Sequence, residues 1–168
     1  MSVVSWSRAS PMKALGLAAA IVLSAPKPAA LAASPFDRFV GVWTGGGQIV
    51  GSNGHRESMR CRAEYSEVKD GAALNQSIVC ASESFKFDIQ SYAEASGDSV
   101  QGYWRESSHD VSGNMTGRIS AGQFVGEFSA PTFSAAISLT SNGRTQTVSI
   151  QPHGGDISDV RIELKRHG

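Results

Sequence analysis

The sequence has few of the residues that hold metals, redox centres or nucleotides. Two cysteines and four histidines are present in 168 residues. The cysteines do not form a C-x-x-C redox motif, and no histidines cluster with them at the spacing of a zinc site. The glycines of TGGGQIVGSNG (44–54) lack the Lys-Ser/Thr of a P-loop. We therefore predict no metal and no cofactor.

An excess of positive charge is also lacking. The chain has 15 basic and 15 acidic side chains, whereas proteins that bind nucleic acids usually carry a basic patch. Nucleic acid is therefore not a predicted partner. After residue 32, no apolar run is long enough to span a bilayer, so no membrane span is predicted.

The one long apolar run, ALGLAAAIVLSA (14–25), lies near the start of the sequence. It follows Arg8 and Lys13, it is too short to span a bilayer, and ALA at 30–32 provides the small residues of a signal-peptidase site. The prolines after the run argue against the alternative, a buried helix of the fold. We predict a signal peptide over 1–32, a single domain over 33–168, and a periplasmic or secreted location.

The residues after 32 form short runs of alternating apolar and polar side chains, with almost no helical periodicity. Turn residues separate these runs at the spacing of an all-β sandwich or barrel. Most connections are short, which favours a meander over Greek-key crossovers. We predict an all-β, antiparallel up-and-down β-barrel of about 8–10 strands. The predicted strands are 40–50, 56–68, 73–82, 84–94, 99–106, 114–120, 123–129, 133–140, 145–151 and 158–166.

Three predicted two-residue turns specify a register, because the numbers of paired residues must sum to a constant. The turns are centred on Asn142-Gly143, Ala130-Pro131 and Ala121-Gly122, and together they place apolar side chains on one face. The rows predicted across the strands are Ile119, Phe124, Ile137 and Val148; Gly117, Gly126, Ala135 and Ile150; and Met115, Phe128 and Phe133.

The row of two glycines and an alanine predicts a hollow between two bulky rows. Since protein interiors are closely packed, a side chain or a ligand must fill such a hollow. A large side chain from the opposite wall, such as Trp43 or Trp104, is one candidate, and a bound molecule is another. The glycines would also permit a sharp bend of the sheet.

The two cysteines flank a predicted hairpin. A turn centred on Asp70-Gly71 places Cys61 directly opposite Cys80, at a Cα separation of about 4.5–5.5 Å that a disulfide can span. A four-residue loop over 69–72 would put the pair at the closer, non-hydrogen-bonded type of site. We therefore predict a cross-strand disulfide, which suits an oxidising compartment.

No group of side chains predicts catalysis. Ser108, His109 and Asp110 are adjacent in one loop, whereas a catalytic triad needs three side chains that converge from separate places. We interpret this loop as exposed and polar, and we predict that the protein is not an enzyme. Three carboxylates on predicted strands are possible barrel carboxylates, and we interpret most of them as parts of solvated strand faces: Glu57, Glu106 and Glu127.

The sequence FDRFVGVW (36–43) places Gly41 and Trp43 at the head of the first strand. This Gly-x-Trp entrance resembles that of lipocalins and the wider calycin superfamily. The resemblance implies a β-barrel in which Trp43 closes one end and a basic residue of the last strand packs over it. We assign that role to Arg161, with Arg166 as the alternative.

The resemblance and the hollow row together favour an exported barrel that binds a small apolar or amphipathic molecule. The predicted binding residues are Phe85, Phe87, Trp104, Gly117, Phe124 and Gly126. The alternative is a filled barrel that acts through its surface, as an inhibitor or an envelope-associated interaction protein. An interior cavity of several hundred Å³ would favour binding, and a solid interior would favour the alternative.

Overall fold

The computed structural model describes residues 33–167, so the predicted signal peptide lies outside the described residues. Ten β-strands follow one another, which confirms all ten predicted strands within a few residues at their ends. They are β1 Gly41–Gly51, β2 Arg56–Val68, β3 Ala73–Ala81, β4 Lys86–Ser96, β5 Ser99–Glu106, β6 Val111–Ser120, β7 Gln123–Ala130, β8 Phe133–Ser141, β9 Thr145–Pro152 and β10 Ile157–Arg166. None of the helical segments in this part of the chain has the length and apolar character to traverse a membrane.

The strands form a closed antiparallel barrel. Each strand pairs with the next along the chain, and β10 returns to pair with β1 from Trp43↔Arg166 to Gly51↔Ile157. Closure leaves no strand edge exposed. The predicted up-and-down β-barrel is therefore confirmed.

Successive side chains along each strand point alternately to the solvent-exposed outer face and to the buried inner face of the barrel. In β2, Cys61, Ala63 and Tyr65 point inward and are buried, whereas Arg60 and Arg62 point outward and are exposed. This two-residue period is the one that the sequence shows, because successive side chains of a strand point to opposite faces.

The cysteine hairpin has the predicted register. Cys61 lies opposite Cys80 with their Cα atoms 4.2 Å apart, and the two residues form a disulfide. Val68 pairs with Ala73, so residues 69–72 form the predicted four-residue loop. The β6–β7 hairpin also has its predicted register, with Gly117 opposite Gly126.

The predicted registers of the next two hairpins are wrong by two residues. The β7–β8 turn consists of Pro131 and Thr132, because Pro suits the first central position of a β-turn. The β8–β9 turn is longer, because the Asn142 side chain accepts hydrogen bonds from the backbone N–H groups of Arg144 and Thr145. A shift of two residues keeps each face but changes each row, so the glycine row continues through Ile137 instead of Ala135.

The turns alternate between the two ends of the barrel. At one end, the segment 34–40, here called the floor segment, crosses the opening. Its contacts reach three turns: Ser34 Oγ donates to the carbonyl of Gly71, Arg38 to that of Ala121, and Ser141 Oγ to that of Arg38. This end is closed, and any site in the barrel must be reached from the other end.

Candidate ligand-binding cavity

Trp43 lies beneath the floor segment at the closed end. It has 0% exposure, and its indole Nε1 donates to the carbonyl of Phe39 over 2.7 Å. The guanidinium of Arg166 lies 4.9 Å from the centre of the Trp43 ring. Gly41 has φ +127°, which favours glycine, and a Cβ there would lie 3.5 Å from the Arg166 guanidinium carbon. Gly41, Trp43 and Arg166 therefore form one packed unit.

The prediction that Arg161 covers Trp43 is wrong. Arg161 points outward, is exposed, and pairs with Asp159 on the same strand over 3.2 Å. The inward side chains of β10 are at even positions, such as Val160 and Ile162, and Arg166 continues that set. Two residues five apart on a strand face opposite ways, so only one of the two arginines can reach the indole.

An apolar cavity of about 460 Å³ fills the barrel between the floor segment and the opposite end. Its floor is Phe36 and Phe39. Its walls are Met59, Tyr65, Leu74, Gln76, Ile78, Cys80, Ile89, Ala93, Val100, Met115, Ile119, Phe124, Ile137, Leu139, Val148, Ile150, Val160 and Ile162. Its mouth comprises Phe85, Phe87, Trp104, Glu106, His109, Val111, Phe128, Thr132, Phe133, Pro152, Gly154, Gly155, Asp156 and Ile157.

Aromatic rings dominate the mouth. The rings of Phe85 and Phe87 are stacked with their centres 6.2 Å apart. Across the mouth, Trp104 stacks on Phe128 at 5.4 Å and meets the edge of Phe133 at 5.7 Å. Four of the predicted binding residues therefore line the cavity: Phe85, Phe87, Trp104 and Phe124.

Gly117 and Gly126, the other two predicted binding residues, do not line the cavity. The ring of Phe124 lies over both of them, and a Cβ at Gly117 would be 2.6 Å from that ring. The hollow is therefore filled by a side chain of the same wall, not by Trp43, Trp104 or an open space. A Cβ at either glycine would also meet a backbone carbonyl oxygen of the neighbouring strand, at 2.5 Å for Gly117 and 2.2 Å for Gly126, so neither position has room for a side chain.

Glu106 is a buried carboxylate beside the mouth, with only 6% exposure. It accepts hydrogen bonds from the backbone N–H groups of Asp88, Ser108 and His109, and from Nδ1 of His109 at 2.7 Å. Burial raises the pKa of Glu106, but these hydrogen bonds outweigh burial and lower the pKa to about 2. Because the carboxylate is ionised and can only accept, His109 carries a proton on Nδ1.

Glu57 holds the neighbouring β3–β4 loop in the same manner. Its carboxylate accepts from Ser82 Oγ at 2.8 Å and from the N–H of Ser84 at 3.1 Å. These hydrogen bonds lower the pKa of Glu57. The inward carboxylates of Glu57 and Glu106 thus hydrogen bond to the β3–β4 and β5–β6 loops, both of which lie at the mouth.

Replacing Glu106 with glutamine is expected to lower the free energy of unfolding at neutral pH by about 1–3 kcal/mol. A glutamine carries no charge, so the charge-assisted hydrogen bonds would be lost. Its NH₂ group would also face N–H donors, with which it cannot form a hydrogen bond. The depressed pKa of Glu106 means that its ionised form stabilises the fold above about pH 4.5, and that this contribution is lost as the pH falls to about 2. In urea unfolding, the difference between wild type and variant should shrink over that range.

The matched control for this experiment is Asp110→Asn. Asp110 forms an exposed ion pair with Arg105, and exposed pairs contribute little, so we expect a change within about 0.5 kcal/mol. A Glu106→Gln effect that stays constant down to pH 2 would contradict the role given to the charge.

A row of polar side chains crosses the otherwise apolar wall. Tyr65, Gln76 and Ser91 lie side by side on β2, β3 and β4, and Trp104 continues the row on β5. We call Tyr65, Gln76 and Ser91 the polar row. It begins near the floor, because Tyr65 pairs with Gly41 at the start of β1, and it rises toward the mouth.

The solved structures with a similar fold include two proteins. Rv2717c from M. tuberculosis matches with a TM-score of 0.64 and 13% identity, covering 79% of this chain and 95% of that one. The S-type phycobiliprotein lyase CPES from Guillardia theta matches with a TM-score of 0.56 and 14% identity, covering 79% of this chain and 90% of that one. No protein-family model and no curated protein matches the sequence. At these identities, the likeness shows the fold alone.

Glu106 and His109 line the mouth but are not among the predicted binding residues. Glu106 is two positions after the inward Trp104, so strand alternation could have identified it as inward. His109 was interpreted as part of an exposed loop. Its side chain is largely exposed, yet it also lines the cavity and lies with its ring centre 6.1 Å from that of Phe87. The position of the β5–β6 loop over the mouth depends on the whole barrel, so the residues of the loop alone do not predict that His109 lines the cavity.

Proposed function

We propose that the protein is an exported calycin-like barrel that binds a small apolar or amphipathic molecule in its cavity. The observation that carries the proposal is the cavity itself. Protein interiors normally pack without such spaces, and about 460 Å³ lies within the range of small-molecule sites. The alternative, a filled barrel that acts through its surface, requires a solid interior and is disfavoured by this space.

Two further observations support the finer parts of the proposal. The Gly-x-Trp unit under Arg166 at the closed end supports the calycin-like assignment. The leader-like composition of residues 1–32 and the Cys61–Cys80 disulfide support export to the periplasm or beyond. The likeness to a phycobiliprotein lyase supports the barrel fold, and we infer no ligand of this protein from it.

Filling the cavity is expected to abolish the binding of an apolar probe. The test is a fluorescence titration with diphenylhexatriene, a hydrocarbon without polar groups, against wild type and the double variant Ala93→Phe, Ile150→Trp. Both positions line the cavity, so the added rings occupy the space for the probe. We expect the affinity to fall by about tenfold or more, which corresponds to about 1.4 kcal/mol.

The matched control is the double variant Gln101→Phe, Gln151→Trp, which places the same two rings on the outer face at exposed positions. Its affinity should equal that of wild type. Circular dichroism establishes that both variants are folded. If wild type does not bind the probe, or if the two variants bind it equally well, the proposed function is wrong.

A further inference from the structure

The polar row contains one buried side-chain oxygen, Ser91 Oγ, that has no hydrogen-bond partner within the described part of the chain. Tyr65 has 2% exposure and lines the cavity, so its hydroxyl is shielded from bulk water. A buried polar group without a partner typically costs about 1–3 kcal/mol. Such groups are rare in native interiors unless something else satisfies them.

Tyr65 and Gln76 line the cavity, so a molecule in the cavity can reach them. Burial raises the pKa of Tyr65, so its hydroxyl keeps its proton and can donate as well as accept. The Gln76 amide also has both a donor and an acceptor. A hydroxyl or carbonyl group on a ligand would satisfy either side chain.

The charges of the lining disfavour a ligand that buries an anionic group near the floor. No lysine or arginine is present among the described residues that line the cavity. The acidic side chains there, Glu106 and Asp156, both lie at the mouth. A buried anion without a counter-ion is strongly unfavourable, so the carboxylate of a fatty acid would find no partner near the floor.

We propose that the ligand is an uncharged, mainly apolar molecule that bears a hydroxyl or carbonyl group, and that Tyr65 and Gln76 hydrogen bond to this group. This inference rests on the proposed function. The polar group enters first, because Tyr65 is near the closed end, and the apolar remainder extends between the aromatic rings at the mouth.

The test compares two probes that differ only in their polar group, dodecanol and dodecanoate, by their displacement of diphenylhexatriene at neutral pH. Wild type is expected to bind dodecanol at least about tenfold more tightly than dodecanoate, since only the alcohol can be buried without a counter-ion. Equal affinities, or tighter binding of dodecanoate, would overturn the inference.

The second arm uses the double variant Tyr65→Phe, Gln76→Leu. We expect its affinity for dodecanol to fall about fivefold to tenfold, as for the loss of one neutral hydrogen bond, while its affinity for diphenylhexatriene stays unchanged. The control is Tyr103→Phe, a tyrosine on the outer face with 61% exposure, which should bind both probes as wild type does.

The outcomes separate the two proposals. Unchanged dodecanol affinity in the Tyr65→Phe, Gln76→Leu variant overturns the polar-row inference while the proposed function stands. Failure of wild type to bind diphenylhexatriene overturns both. Replacing neighbouring polar side chains by apolar ones of similar shape is nearly neutral for stability, so the variant should unfold at about the same urea concentration as wild type, and a failure to fold would not explain a loss of binding.

Discussion

Replacing Trp43 with alanine is expected to lower the free energy of unfolding by about 3–5 kcal/mol. The indole is fully buried, donates a hydrogen bond to Phe39 and lies under Arg166. Its removal would leave a void at the closed end and would release the floor segment from the barrel. Urea unfolding followed by circular dichroism measures the loss, and Trp43→Phe, which keeps a ring, should lose less.

The control for this prediction is Arg161→Ala, which removes an exposed arginine of the same strand as Arg166. We expect a change within about 0.5 kcal/mol. A Trp43→Ala loss below about 1 kcal/mol, or an Arg161→Ala loss as large as that of Trp43→Ala, would contradict the described structure of the closed end.

Removing the disulfide is expected to cost about 3 kcal/mol, the value that the chain-entropy model gives for a loop of this size. Cys61 and Cys80 are 19 residues apart and link β2 to β3. The double variant Cys61→Ala, Cys80→Ala should therefore unfold at a lower urea concentration than wild type. Reductant should reduce the stability of wild type by a similar amount.

The double variant supplies its own control, because reductant should not change its stability. Wild type, denatured without reductant, should show no titratable thiol. Two free thiols in wild type purified from an oxidising compartment would refute the cross-strand bridge.

Local turn chemistry explains which hairpins were predictable. In the β2–β3 and β6–β7 hairpins, the residues at the centre of the turn have positive φ, including Asp70, Gly71 and Gly122. In these two hairpins, Asp-Gly and Ala-Gly marked the centre of the turn correctly. At β8–β9, the Asn142 side chain caps the backbone and lengthens the loop. That contact is local, between residues two and three positions apart, but the Asn-Gly pair alone does not specify it.

The packing of the inward side chains was less predictable than the order and pairing of the strands. Pairing rules say which residues face inward, but they do not say how a side chain leans along its strand. Phe124 leans over Gly117 and Gly126 and closes the hollow that the pattern suggested. Strand parity alone would have separated Arg166 from Arg161, since Val160, Ile162 and Leu164 mark the inward set of β10. The polar row could be recognised only from the registers of β2, β3, β4 and β5 together, because each of its residues lies on a different strand.

Native mass spectrometry of the protein, purified from its own host without detergent, tests the central claim most directly. The claim is that the cavity holds a small uncharged molecule, so we expect a bound mass typical of a small organic compound. That mass should be absent from the Ala93→Phe, Ile150→Trp variant and present in the Gln101→Phe, Gln151→Trp control. A spectrum of wild type that shows the polypeptide mass alone would contradict the claim.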